Sequence, residues 1–301
     1  MIRVSLKRIS TIIMVLILFS GEVISLPLSR TCYTAPADNI DFYFGEKLIS
    51  DKNLHRVDVL ALNLGLTDAT TIGVEWNYLN YDLSGDESKT GDTLLEFWHY
   101  TGRYLYDRVD SGISIKIRMP TGPDPVKDEK WRNLSVGRNE VKITPVLSLK
   151  LSGKELLNLN VSYTLREGRD DDFYGSLKGD LKKADTYKSI FGLNPFSEDS
   201  FFSGHRLSDD YMSTAVSFVE TRLHPVVLFG EIYHAFTDFQ RDSEVPLKTA
   251  EGEGGSVTFI SAGCKYMVGN SFFPIIYCEV NPFYSGEGER WSSGIGINIF
   301  F

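Results

Sequence analysis

The sequence predicts an all-β fold, a closed antiparallel transmembrane β-barrel of about twelve strands with ten to fourteen tolerable. Three observations carry this expectation. Apolar and polar residues alternate with period two along most of the chain. No second run of about 20 apolar residues follows the amino-terminal one, which excludes a helical membrane protein. The connections between alternating stretches are short and long by turns.

The first element is an export signal. Arg3, Lys7 and Arg8 form a positive region, residues 12–19 (IIMVLILF) form an apolar core, and Val23-Ile24-Ser25 offers a small-residue cleavage site. The chain therefore divides into a signal peptide over 1–25 and a barrel over 26–301, the latter opening with a short amino-terminal segment at 26–38. Lipidation at Cys32 is disfavoured, because Ser29-Arg30-Thr31 poorly match the small residues that lipoprotein processing prefers.

The strands follow. Candidates fall at about 39–45, 56–66, 70–82, 93–106, 112–119, 139–151, 156–166, 211–221, 226–237, 256–267, 272–281 and 291–301. In "TIGVEWNYL" Ile72, Val74, Trp76 and Tyr78 share one face, with Thr71, Gly73, Glu75 and Asn77 on the other. "GISIKIRM" sets Ile113, Ile115, Ile117 and Met119 against Ser114, Lys116 and Arg118. The next two strands set Lys142, Thr144, Ser148 and Lys150, then Asn158, Asn160, Ser162, Thr164 and Arg166, against aliphatic rows. A soluble sandwich is the alternative, but few segments read as the fully buried filler its core needs.

Connections at 67–69, 107–111, 152–155, 222–225 and 267–271 are short. Those at 82–92, 120–137, 167–210, 238–255 and 282–290 are longer and rich in Gly, Asp, Glu, Lys and Pro. Short periplasmic turns interleaved with long extracellular loops are the asymmetry of a barrel in an outer membrane.

The last strand, "GIGINIFF", puts Ile295, Ile297, Ile299 and Phe301 on one face. In lipid an unpaired edge has no partner, so this strand is expected to close the sheet on the first. Its ending resembles the carboxy-terminal signature of Gram-negative outer-membrane β-barrels. That resemblance implies recognition by the barrel-assembly machinery, contact with outer-membrane lipids and residence in the outer membrane of a diderm bacterium. In the middle of the chain, "SIKIRMPTGPDP" and "GRNEVKITPVLSLKL" resemble small outer-membrane transporters, including barrels of aromatic-compound degradation pathways and the fatty-acid-transporter-like group. The likeness covers roughly 110–165 and transfers no individual residue.

Composition narrows the function classes. A net charge of −9 without a basic block excludes nucleic-acid binding, and three cysteines make no disulfide framework. No catalytic set is evident: His55, His99, His205, His224 and His234 lack a positioned Ser partner or metal-ligand spacing. Asp170-Asp171-Asp172 reads as a solvated acidic loop rather than a calcium site, and "EGEGG" has the wrong charge for phosphate. The chain is read as a non-enzyme needing neither metal nor cofactor.

Strand parity sends Lys116, Arg118, Lys142, Lys150 and Arg166 inward from three consecutive strands, and Glu75, Glu231 and Glu279 inward from strands elsewhere. A basic wall facing an acidic one would set a field across a water-filled lumen, favouring anionic or zwitterionic solutes. Pairing across a plugged interior is the alternative. In the long loop 167–210, Phe191, Phe196, Phe201 and Phe202 suggest a segment folded inward as a constriction, with an outward adhesive surface as the alternative. The expected function is a channel or transporter for small polar or amphipathic solutes. A surface adhesin or structural barrel is the second reading, and an outer-membrane hydrolase the third. No interface marks an oligomer.

Overall fold

A computed structural model of the chain describes residues 31–50, 54–81, 87–123, 137–167, 211–236, 256–269, 271–283 and 290–301. The signal peptide and the four loop phenylalanines Phe191, Phe196, Phe201 and Phe202 lie outside the described residues.

Twelve strands form one closed antiparallel barrel: β1 (Ile40–Ser50), β2 (Leu54–Thr67), β3 (Thr70–Tyr81), β4 (Glu87–Tyr104), β5 (Val109–Met119), β6 (Glu140–Ser152), β7 (Glu155–Arg166), β8 (Tyr211–Glu220), β9 (Val226–Phe236), β10 (Ser256–Tyr266), β11 (Phe272–Val280) and β12 (Trp291–Phe300). Each strand pairs with its sequence neighbours, and β12 returns to β1. Among the described residues all regular structure is strand.

Closure follows from the alternation in β12. Ile295 is 59 % exposed and Phe301 74 %, so this face points away from the barrel. The backbone of β12 is consumed on both sides, by β11 and by β1, with Asp41 opposite Phe300 and Phe44 opposite Ile297. Ile40 and Phe301 exchange both of their backbone hydrogen bonds, at 3.2 and 2.9 Å. No edge is left, as a spanning sheet requires.

The outer surface is apolar along the strands: Leu62, Ile72, Leu95, Leu147, Leu159, Val216, Ile232, Ile260 and Ile276 are all exposed. Aromatics flank this band, Trp76 and Tyr78 towards the long loops and Tyr104, Tyr266 and Phe301 towards the short turns. Inward positions are polar, and Ser114, Thr144, Asn158, Ser162, Ser217, Ser261 and Asn298 are buried. They bond across strands, as in Ser148 Oγ to Asn158 Oδ1 at 2.6 Å and Asn158 Nδ2 to Ser217 Oγ at 3.0 Å.

Part of the interior is apolar. Val219, Val227, Phe229 and Ile275 cluster on the β8–β11 side with Tyr43 and Tyr277 against them. The two tyrosine rings lie over glycines of β12. A Cβ on Gly296 would stand 2.5 Å from Tyr43 Oη, and one on Gly294 2.3 Å from the Tyr277 ring, so only glycine admits these aromatics.

Two boundaries differ most from the sequence expectation. β1 runs on to Ser50, leaving only 51–53 between β1 and β2, so one outer connection is as short as the inner turns. β4 begins at Glu87 rather than near residue 93, reducing the next outer connection to 82–86. The other outer connections remain long.

Candidate functional site

The site is the lumen, and among the described residues β5–β7 supply most of its cations. Register places Lys116 opposite Lys142 and Arg118 opposite Glu140, with Glu140 in turn opposite Arg166. Their ion pairs interleave the two signs. Lys116 Nζ lies 3.7 Å from Glu75 and 3.9 Å from Glu96. Glu140 takes Arg166 Nε at 2.5 Å and Arg118 Nη1 at 3.6 Å. Lys150 Nζ bonds Asp110 at 2.8 Å. On the far side, Lys47 of β1 stands 3.5 Å from Glu279, while Glu231 is buried on β9.

This arrangement corrects the picture of a basic wall facing an acidic one. Glu75 reaches Lys116 from two strands away instead of opposing it, and Glu96, Asp110 and Glu140 sit among the cations. A low-dielectric interior penalises an unpaired charge by several kcal/mol, about what segregated walls would incur at each position. Parity could have found these acids, because Glu96 and Glu140 share inward phase with Trp98 and Lys142 on their strands.

Aromatic rings complete the cationic side. Arg166 lies 4.5 Å above the Tyr211 ring and Lys142 Nζ 5.6 Å from the Tyr233 centroid. Tyr211 and Tyr233 also pack on Ala235, Val257 and Phe259 of β9 and β10.

The feature that sequence reasoning missed is the segment ahead of β1, which enters the barrel at its short-turn end. Cys32 and Ala35 are fully enclosed, and Ala35 packs on Trp98. The Cys32 amide donates to Ser148 Oγ at 3.1 Å, and its thiol to the Asp110 carbonyl at 3.0 Å. Thr34 Oγ1 donates to the Asp68 carbonyl, and the Ala35 amide to Thr71 Oγ1 at 2.8 Å. Gly65 makes room for the segment, since a Cβ there would lie 1.9 Å from the Pro36 carbonyl oxygen.

Asp110 anchors the segment. Its carboxylate accepts from Tyr33 Oη at 3.0 Å, Tyr100 Oη at 3.0 Å, Arg103 Nε at 2.8 Å and Lys150 Nζ at 2.8 Å. Burial first, and then the Asp110 charge, push the Tyr33 phenol above its ordinary range, so its hydroxyl stays protonated and donates. Burial likewise pushes the Cys32 thiol up to about 11.

The described histidines that could matter chemically face outward. His99 Nδ1 is 3.0 Å from Thr70 Oγ1 and its ring stacks on Phe97, while His234 Nδ1 is 3.0 Å from Thr258 Oγ1. Neither completes a nucleophile–base–oxyanion set, and among the described residues no group of His, Cys, Asp or Glu could hold a metal ion.

An apolar exterior, a closed twelve-strand sheet and a charged interior define a transmembrane β-barrel of the outer-membrane kind. No family model matches the sequence, and no curated protein matches it. Solved structures do. The COG4313 outer membrane channel from Pseudomonas putida F1 is similar with a TM-score of 0.56 at 13% identity, over 93% of this chain and 98% of that one. The NanC porin gives 0.55 at 10% identity, over 86% and 98%. The KdgM porin gives 0.52 at 5% identity, over 87% and 99%. At such identities the likeness is one of fold.

Proposed function

We propose that this chain is an outer-membrane channel for small polar or amphipathic solutes, favouring anionic or zwitterionic ones, with its periplasmic mouth narrowed by its own amino-terminal segment. The observation that carries the reading is the placement of Lys116 and Arg118. Both point into the lumen on β5, remain 27 % and 33 % exposed, and among the described residues meet carboxylates at 3.6 to 3.9 Å. Charges held there in partial contact with water act on whatever passes. The names of the similar structures, porins and an outer membrane channel, support the same reading. We assign no catalytic residue.

The barrel resides, on this reading, in the outer membrane of a diderm bacterium, exported by residues 1–25 and inserted by the barrel-assembly machinery through Ile295, Ile297, Ile299 and Phe301. Outer-membrane lipids cover the apolar band. Single-channel recording of the refolded chain in a planar bilayer, with reversal potentials under a salt gradient, tests the proposal. Stable steps with anion preference are expected. A folded barrel that never conducts would favour the second reading, a surface barrel without transport, for which the enclosed Cys32 and Ala35 speak.

A further inference from the structure

We infer that the main ion filter of the channel lies at its short-turn mouth, where the amino-terminal segment forces a solute past Arg103 of β4 and Lys150 of β6. The inference rests on the channel reading and names the residues that set its selectivity, nearer the short turns than Lys116 and Arg118.

Charge balance distinguishes the two levels. In the middle of the wall three cations, Lys116, Arg118 and Arg166, are answered by three carboxylates, Glu75, Glu96 and Glu140. The fourth cation there, Lys142, is turned to the Tyr233 ring. At the mouth, Arg103 and Lys150 share a single carboxylate, that of Asp110. Among the described residues no other carboxylate lies within ion-pair distance of either. Tyr33 and Tyr100 give Asp110 their hydroxyl protons as hydrogen bonds and add no charge. One positive charge is left over, on side chains 41 % and 32 % exposed.

The segment narrows the passage at this level. It runs along the wall from β6, where the Cys32 amide meets Ser148, past β3, where the Ala35 amide meets Thr71, to Gly65 of β2. Tyr33 stands within that span, its ring centroid 6.0 Å from Lys150 Nζ. Across the closed ring, β11 is six strands from β5 in either direction. Its buried Ile275 clusters with Val219, Val227 and Phe229 at the same short-turn end. Excess charge of one sign in a cleft with low-dielectric walls has its field focused on what passes. Without the segment, the same two cations would border a wider opening, where mobile ions screen them within about 8–10 Å.

Reversal potentials of the refolded full barrel under a potassium chloride gradient test this. Lys150→Gln and, separately, Arg103→Gln should each lower the chloride-to-potassium permeability ratio at least twofold, and Lys116→Gln by less than either. Gly65→Ala, which dislodges the segment and leaves both cations in place, should lower the ratio while conductance rises. Heat-modifiable migration identifies the variants that fold; if Arg103→Gln does not, Lys150→Gln, which keeps Arg103 on Asp110, decides. A ratio unmoved by Lys150→Gln, or moved more by Lys116→Gln, would overturn the inference and leave the channel standing. So would a rise in conductance at unchanged ratio in Gly65→Ala. A folded barrel in which neither the parent chain nor Gly65→Ala conducts sinks the channel reading and the filter with it.

Discussion

The Tyr33 hydroxyl donates to Asp110 Oδ2 at 3.0 Å, tying a residue ahead of the first strand to one inside the fifth. Tyr33→Phe removes one hydrogen bond to a charged acceptor, worth about 1.5–3 kcal/mol. The expected result is a barrel of unchanged melting temperature whose conductance rises as the segment leaves the mouth. Gly65→Ala should do the same by another route, forcing a Cβ against the Pro36 carbonyl. Unchanged conductance in both variants would show that the segment does not narrow the pore.

Cys32 reports on the same contact. Burial raises its thiol from an ordinary 9.0 to about 11, so the docked form favours the neutral thiol. A raised folded value means that the stabilisation is complete below about 9 and is lost as pH climbs through about 11. With Cys264→Ser and Cys278→Ser in place, iodoacetamide should label Cys32 slowly at pH 8 and increasingly above pH 9. Adding Gly65→Ala should bring rapid labelling at pH 8; rapid labelling without it would mean that the thiol is not enclosed in solution.

Lys116 and Ile117 test the faces of β5. Ile117→Arg places a charge against lipid and should cost about 2–4 kcal/mol near mid-membrane, visible as failed insertion. Lys116→Glu should insert normally and move the reversal potential towards cation preference. The reverse pattern would invert the assignment of inside and outside.

Phe301 pairs through its backbone with Ile40 and carries the terminal aromatic ring. Deleting it should slow assembly into membranes while leaving the folded barrel's conductance intact. Insertion at the normal rate would remove the proposed recognition by the assembly machinery.

Much of the fold was legible because lipid imposes a strict rule on every outward position. β7 and β12 follow it along most of their length, and their bounds fall within a residue of those the alternation predicts. The end of β1 was hidden because Glu46 breaks the outward row; it is tolerated there beside Arg56, at 3.4 Å. The start of β4, "ESKTGD", holds no large apolar side chain to mark an outward row, though the stretch pairs with β3. The lumen cations were legible by parity, but their partners were not, since Lys116 meets Glu75 across an intervening strand. The amino-terminal segment left no trace in any pattern. Its contacts are amides, hydroxyls and one thiol, which have no period to read.

The seam between β1 and β12 joins Asp41 to Phe300, residues separated by nearly the whole barrel sequence. Its sequence separation makes this the contact with the greatest loop-closure cost in the sheet. Until it forms, one hairpin after another offers bare edges and an oily outer face to water. On the proposed route to an outer membrane, the interval before this seam seals is the one in which the sheet is most open to mispairing.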